Sequence, residues 1–230
     1  MSTLIFWHIC GINNWKEVVA EQKNTILNSG ILNVVDKVNI TYLGKDPNDI
    51  NWLLECNPKF NLDRYDSYLG HWESLCLKSL YEQAINSNSN INFLFIHAKG
   101  VSKPNNLYVQ EWRRTMEYHL ITKYSNCLNL LKQYDAVGCF FRNEPKLDGG
   151  KKFKICTEKH KSNFSGNFWW TTSNHIKTLP NINIIEVKPP KYRGRYLLER
   201  WILYKYPQMK IAEVYRHPTG LTLFYECNPF

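Results

Sequence analysis

Asn90-Ile-Asn-Phe-Leu-Phe-Ile-His-Ala-Lys-Gly-Val-Ser102 opens as a short apolar run and ends in charge. Phe93 to Ile96 is rich in strand formers and follows an Asn/Ser cluster, the pattern of a buried strand entered from a turn. The run stops at His97, Lys99 and Gly100, and helical periodicity resumes from about Leu107. In open α/β sheets, ligands bind beyond the carboxyl ends of the strands. An imidazole, an ammonium and a glycine there form the floor of a candidate anion site. Taken alone, the tripeptide reads equally as a strand cap, a solvated lysine and a turn glycine.

Working back toward the N-terminus, Leu4 to Cys10 predicts a strand that passes through His8 and closes on Gly11. Asn13 or Asn14 caps a helix whose inner face carries Trp15, Val18, Val19, Gln22, Ile26 and Leu27, stopped at Ser29-Gly30. Val34 to Leu43 alternates as a second strand and ends at Gly44. Strand, helix, strand is the opening of a parallel, nucleotide-type sheet. Ile50 to Cys56 predicts a third short strand, 57–70 an irregular stretch, and His71 to Ile85 a helix leading into the quoted strand.

Beyond that strand, Leu107 to Tyr134 predicts two helices or one kinked helix, and Asp135 to Phe141 another strand. Arg142 to Ser162 is basic and turn-like, a loop long enough to suggest function or disorder. Phe164 to Thr171 predicts a strand, Ser173 begins a helical turn, Tyr196 to Tyr206 predicts a helix, and Lys210 to Tyr225 an extended tail. The chain shows no repeat and no linker. One domain over 1–230 is expected, with a nucleotide-binding half (1–100) and an acceptor-side half with the C-terminal tail (101–230).

Composition bounds the classes. Of 230 residues, 43% are hydrophobic and 21% charged, as in ordinary globular proteins. No run approaches the roughly 18 apolar residues of a membrane span, and the N-terminus lacks a basic, cleavable leader. A cytoplasmic location without a membrane span is expected. Seven cysteines without C-x-x-C spacing argue against a disulfide framework or zinc ribbon. The net charge of +9 implies an anionic partner. Phosphate-loop, dinucleotide, zincin and nucleophile-elbow motifs are missing. So is an Asp-x-Asp pair to hold a divalent ion against a diphosphate, which leaves metal use open.

Two further clusters bear chemistry. In His160-Lys-Ser-Asn-Phe-Ser-Gly-Asn-Phe-Trp-Trp170, Ser165 and Asn167 can bond sugar hydroxyls and Gly166 permits close approach. Trp169 or Trp170 can stack on a sugar face, although one of them should face the core because a strand has two faces. In Tyr192 to Trp201, Glu199 sits on a largely apolar helix face beside Trp201, an environment that suits a general base. An exposed ion pair with Arg195 is the plainer alternative.

The series F-I-H-A-K-G-V-S, E-W-R-R-T-M-E-Y, Y-D-A-V-G, S-G-N-F-W-W and L-L-E-R-W resembles a family of predicted glycosyltransferases of bacteria and large DNA viruses. That family carries His-Thr-Lys-Gly and His-x-Ser-Gly-Asn-Phe-Trp-Trp signatures. The resemblance spans residues 4 to 205. The chain departs from it at Ala98, where the family has Thr, and at Asn163 before Phe164-Ser165, where the family usually has His.

The resemblance implies a single Rossmann-like, A-type nucleotide-sugar transferase domain, α/β, with a mostly parallel central sheet flanked by helices. It implies a UDP- or GDP-sugar donor, a glycan or glycoconjugate acceptor, and host cytoplasm if the chain is viral. The residues themselves, read beside the resemblance, put His8, Gly11, Gly44, His97, Lys99, Gly100, Arg113 and Arg114 on the donor side. On the acceptor side they put Ser165, Gly166, Asn167, Trp169, Trp170 and Trp201. Glu199, Lys99 and His97 are the expected catalytic residues, with Glu199 as base and no metal ligand assigned. Two other classes compete: a basic, Trp-rich module for RNA or single-stranded DNA, and an inactive homologue that binds glycans. The first is disfavoured because cations and aromatics fall in separate clusters, so nucleic acid is not the expected partner.

Overall fold

The computed structural model describes residues 1–145, 160–184 and 193–217. Its centre is β1 (Ser2–Cys10), in which every residue from Thr3 to Ile9 is buried. Such a strand must be covered on both faces, and its side chains divide accordingly. Ile5, Trp7 and Ile9 enter one core, Leu4 and Phe6 the other.

β2 (Lys37–Leu43) and β4 (Ile91–His97) flank β1 in parallel, and β3 (Phe60–Asp66) adds a parallel edge beyond β2. On the far side of β4 comes β8 (Trp169–Thr172), which runs antiparallel. β5 (Ala136–Cys139) and β9 (Ile211–Tyr215) complete the order β3-β2-β1-β4-β8-β5-β9. Six of the seven strands therefore share a direction. The expected α/β fold with a mostly parallel central sheet is what the chain adopts. A separate two-stranded ladder pairs β6 (Phe141–Pro145) with β7 (His160–Phe164).

One face of the sheet is covered by α1 (Trp15–Asn28), α2 (Asn51–Leu54), α4 (Leu107–Glu117) and α5 (Tyr124–Leu130), whose buried residues join the first core. The other carries α3 (Ser74–Ile85), α6 (Ser173–Ile176) and α7 (Arg193–Trp201). Between α4 and α5 lies a π-helical turn, Tyr118–Thr122. This turn is the expected kink, and its Leu120 carbonyl accepts a 2.8 Å bond from the Trp170 indole. Among the described residues no helix is long and apolar enough to cross a membrane.

Two expectations need correction. Ile50 to Cys56 is helical: Asp46 caps the turn Pro47–Ile50, with Pro47 at its first position, and α2 continues it. The third strand is instead β3, inside the stretch read as irregular. As an edge strand it is paired on one side only and carries Asn61, Asp63 and Arg64, so it shows no apolar run. The expected strand from Phe164 to Thr171 is interrupted by a turn over 165–168, which ends β7 and starts β8. The basic loop is framed by β6 and β7; its residues 146–159, like 218–225 of the expected tail, lie outside the described residues, while the tail's first half contains β9.

Candidate active site

The parallel strands end together at one edge, and antiparallel β8 begins there. Positive-φ backbone concentrates at this edge, at three residues that bear a β-carbon and two glycines. Asn13 after β1 (φ 49°), Gly100 after β4 (φ 103°), Phe140 after β5 (φ 55°), and Gly166 (φ 97°) and Asn167 (φ 57°) before β8 all have positive φ. So does Trp72 (φ 47°), just before α3. An aromatic or β-carbon-bearing residue in that region costs about 1–3 kcal/mol and persists only where its surroundings over-determine it. Such strain clusters at ligand sites.

His8 and His97 lie opposite each other in the β1–β4 register, on the α3 face of the sheet, and both are buried. His97 Nε2 is 2.8 Å from the Gly166 carbonyl, and its ring meets Phe168 edge-on at 5.2 Å. Its Nδ1 faces Glu73 Oε1 at 3.9 Å. Glu73 caps α3, is 3% exposed, and its Oε2 has no hydrogen-bond partner among the described residues. Two residues past His97 the chain crosses to the other face. Lys99 is half-buried, with Nζ 3.8 Å from the centre of the Trp112 ring on α4, a cation–π contact.

The backbone of this strand end is anchored from beneath. Gln22 on α1 accepts the Trp7 indole proton (3.1 Å) and donates to the His97 carbonyl (3.1 Å). Arg113, 1% exposed, donates to the Lys99 carbonyl (3.2 Å) and pairs with Glu21 and with Glu117 (3.2 Å). Asn13 Nδ2 donates to the Val101 carbonyl at 2.6 Å, joining the loops that follow β1 and β4.

This arrangement redistributes the expected donor residues. His8, His97, Lys99 and Gly100 share the strand ends, with Gly11 close by. Arg113 and Arg114 do not join them as open cations, since Arg113 is buried against two carboxylates and exposed Arg114 bonds Glu21 at 3.0 Å. Gly11 and Gly44 have a local reason. A Cβ on Gly11 would lie 2.6 Å from Tyr42 Oη, and one on Gly44 would overlap the same ring. Both glycines make room for a buried tyrosine held by Asp49 at 3.1 Å.

Of the expected acceptor residues, Ser165, Gly166 and Asn167 form the turn beside His97. Ser165 and Asn167 are each 2% exposed, with Asn167 Oδ1 accepting from the Trp169 indole at 2.9 Å. The tryptophans take core positions instead of presenting a stacking surface. Trp169 stacks on Phe95 at 5.0 Å, Trp170 occupies the opposite face, and Trp201 donates to the Pro180 carbonyl at 3.0 Å. All three are buried. Glu199 is half-buried on α7, whose Leu198 and Trp201 join the α3-side core, whereas Lys99 lies against Trp112 of the other core, so these two expected catalytic residues are not brought together.

The residues that sequence reasoning missed are Glu73, Gln22 and Glu117. Glu117 is 3% exposed, and burial pushes its carboxyl up to about 7, against the pull of Arg113 and a hydrogen bond from Gln22. For Glu21 partial burial acts upward too, but hydrogen bonds from Arg114 and Arg113 hold it below the usual range. One guanidinium thus serves two acids, and the exposed one keeps the charge.

Because the folded state binds Glu117's proton more tightly than the unfolded state, stability should fall as pH rises from about 4.5 to about 7. Urea denaturation at about pH 5 and pH 8 should show Glu117→Gln escaping roughly 1–3 kcal/mol of that loss. Parallel pH profiles for variant and wild type would contradict the assignment.

Among the described residues no three His, Cys, Asp or Glu side chains converge as metal ligands. A shallow depression lined by Asn24, Thr25, Asn28, Ser29 and Thr122 sits at the far end of α1 and holds no ionisable group.

No protein-family profile matches the chain, and no curated protein does. Among the solved structures that share part of its outline are three. One is 4-diphosphocytidyl-2C-methyl-D-erythritol synthase from Anaerococcus prevotii, with TM-score 0.47 and 11% identity over 95% of this chain and 88% of that one. Another, from Desulfovibrio desulfuricans, is described as a nucleotide-diphospho-sugar transferase, with TM-score 0.41 and 10% identity over 94% and 80%. The third is HddC from Yersinia pseudotuberculosis, with TM-score 0.45 and 10% identity over 94% and 90%. With scores below 0.5 and so few shared residues, the fold rests on its own strand order and the site on its own geometry.

Proposed function

We propose that the chain is a glycosyltransferase that moves a sugar from a UDP- or GDP-sugar to a hydroxyl of a glycan or glycoconjugate. The observation that supports this reading is the end of β4, where Lys99 precedes a positive-φ glycine turn whose backbone is anchored by Gln22 at His97 and by Arg113 at Lys99. Sugar transfer breaks the bond between the anomeric carbon and the diphosphate oxygen, and the electron pair leaves with the diphosphate. A cation fixed in advance stabilises that charge without reorganising. Lys99 is the residue for this role. The acceptor oxygen attacks the anomeric carbon from the side opposite the leaving oxygen, which inverts that centre. It gives its proton to a base; we assign that role to Glu199, although α7 packs on the other core from the Trp112 that Lys99 touches. His8 and Gly100 border the same strand ends.

Lys99 supplies charge that a divalent ion supplies in other transferases, so turnover should persist in EDTA. Activity lost in EDTA and restored by Mn²⁺ or Mg²⁺ would contradict that part of the reading. The test of the reaction itself is release of nucleoside diphosphate from a panel of nucleotide sugars. Glu199→Gln should keep donor affinity and lower turnover about 10²-fold, the scale of losing a general base. Normal turnover in that variant would return Glu199 to an ion-pair role. The nucleic-acid alternative is weakened because Trp7, Trp15, Trp112, Trp169, Trp170 and Trp201 are buried and offer no face for bases to stack on.

A further inference from the structure

We propose that Glu73 is a positioning residue that keeps His97 doubly protonated, so that an imidazolium clamps the Gly166-Asn167 turn to the start of α3. The inference rests on the donor reading only for its consequence in catalysis. A carbonyl oxygen can only accept, so the 2.8 Å contact with Gly166 places a proton on His97 Nε2. In a neutral ring Nδ1 would then present its lone pair to the Glu73 carboxylate 3.9 Å away. Glu73 is 3% exposed, and its second oxygen has no hydrogen-bond partner among the described residues. A carboxylate buried in this way stays ionised only beside a cation. A proton on Nδ1 supplies it.

His97 is the imidazole whose ring nitrogen faces the Glu73 carboxylate. From β1 it faces His8, with Cys10 two residues further on the same strand. From the turn before β8 it faces the Gly166 carbonyl and Phe168, and from α1 Gln22 takes its backbone carbonyl. Lys99 is turned to the Trp112 ring. The charged ring strengthens its bond to Gly166, because charge-assisted hydrogen bonds are about twice as strong as neutral ones. That bond holds a turn with two consecutive positive-φ residues next to the strand end. The Gly166 carbonyl accepts from Nε2 and Nδ1 faces Glu73, so His97 shapes the site instead of binding the leaving group.

Nitrogen-15 spectra of histidine-labelled protein at about pH 7.5 test the pair directly. Wild type should show His97 protonated on both ring nitrogens, and Glu73→Gln should show the neutral Nε2–H form. Amide exchange over 165–168 should also rise about tenfold in the variant. A neutral His97 ring in the wild type, or unchanged exchange in a folded variant, would overturn the proposal. If Glu73→Gln does not fold, the wild-type spectrum alone decides. Failure of wild type to turn over any nucleotide sugar would overturn the transferase reading, while a doubly protonated His97 in the same protein would still support the ion pair.

Discussion

Lys99→Ala should weaken binding of UDP or GDP by roughly ten- to hundredfold while the fold stays intact. The magnitude follows from losing one charge-assisted contact to a phosphate, about 1.5–3 kcal/mol. The fold should tolerate the change because Lys99 is only half-buried and its cation–π contact with Trp112 contributes only about 0.5–2 kcal/mol. The backbone of the turn is held separately, through the Lys99 carbonyl bond to Arg113 and the His97 carbonyl bond to Gln22. Calorimetric titration of both nucleotides into variant and wild type measures the effect. Equal affinities would remove Lys99 from the donor site.

Gly166→Ala should cost about 3 kcal/mol of stability, combining positive-φ strain with overpacking. At φ 97° the added Cβ would lie 2.5 Å from Met116 Sδ and 3.2 Å from Trp112 Nε1. The Met116 side chain is flexible, yet it is fully buried and has little space to yield. In a domain of this size the loss corresponds to a fall in melting temperature of roughly 6–12 °C. Differential scanning calorimetry gives the answer, and an unchanged melting temperature would show that the turn can rearrange. The same substitution displaces the carbonyl that His97 holds, so donor turnover should fall with stability.

The central strand is legible in the sequence because burial on both faces leaves an unbroken apolar run, and the abrupt change to His97-Ala-Lys-Gly marks its end. The helix after β1 is equally plain, and Gln22 on its apolar stripe is the visible sign of the buried network. A single amide on such a stripe does not reveal what it bonds, so the network itself stays hidden. β3 is hidden for the opposite reason, since an edge strand paired on one side needs few apolar residues. Glu73 gives no signal. An acid at a helix start is ordinary, favoured by the helix dipole, and only the approach of β4 makes this one a buried partner of His97. The paired tryptophans suggest a strand with one face open, but β8 is interior to the sheet, so both of its faces are core.

The central claim is that a nucleoside diphosphate sugar binds at the carboxyl edge of the sheet. Hydrogen–deuterium exchange of the whole chain, with and without a saturating UDP- or GDP-sugar, tests it most directly. The expected result is slowed exchange in peptides covering 8–14, 97–103 and 164–168, with the strand interiors unchanged. Unaltered exchange at all three segments with every nucleotide sugar, or protection there by oligonucleotides alone, would contradict it.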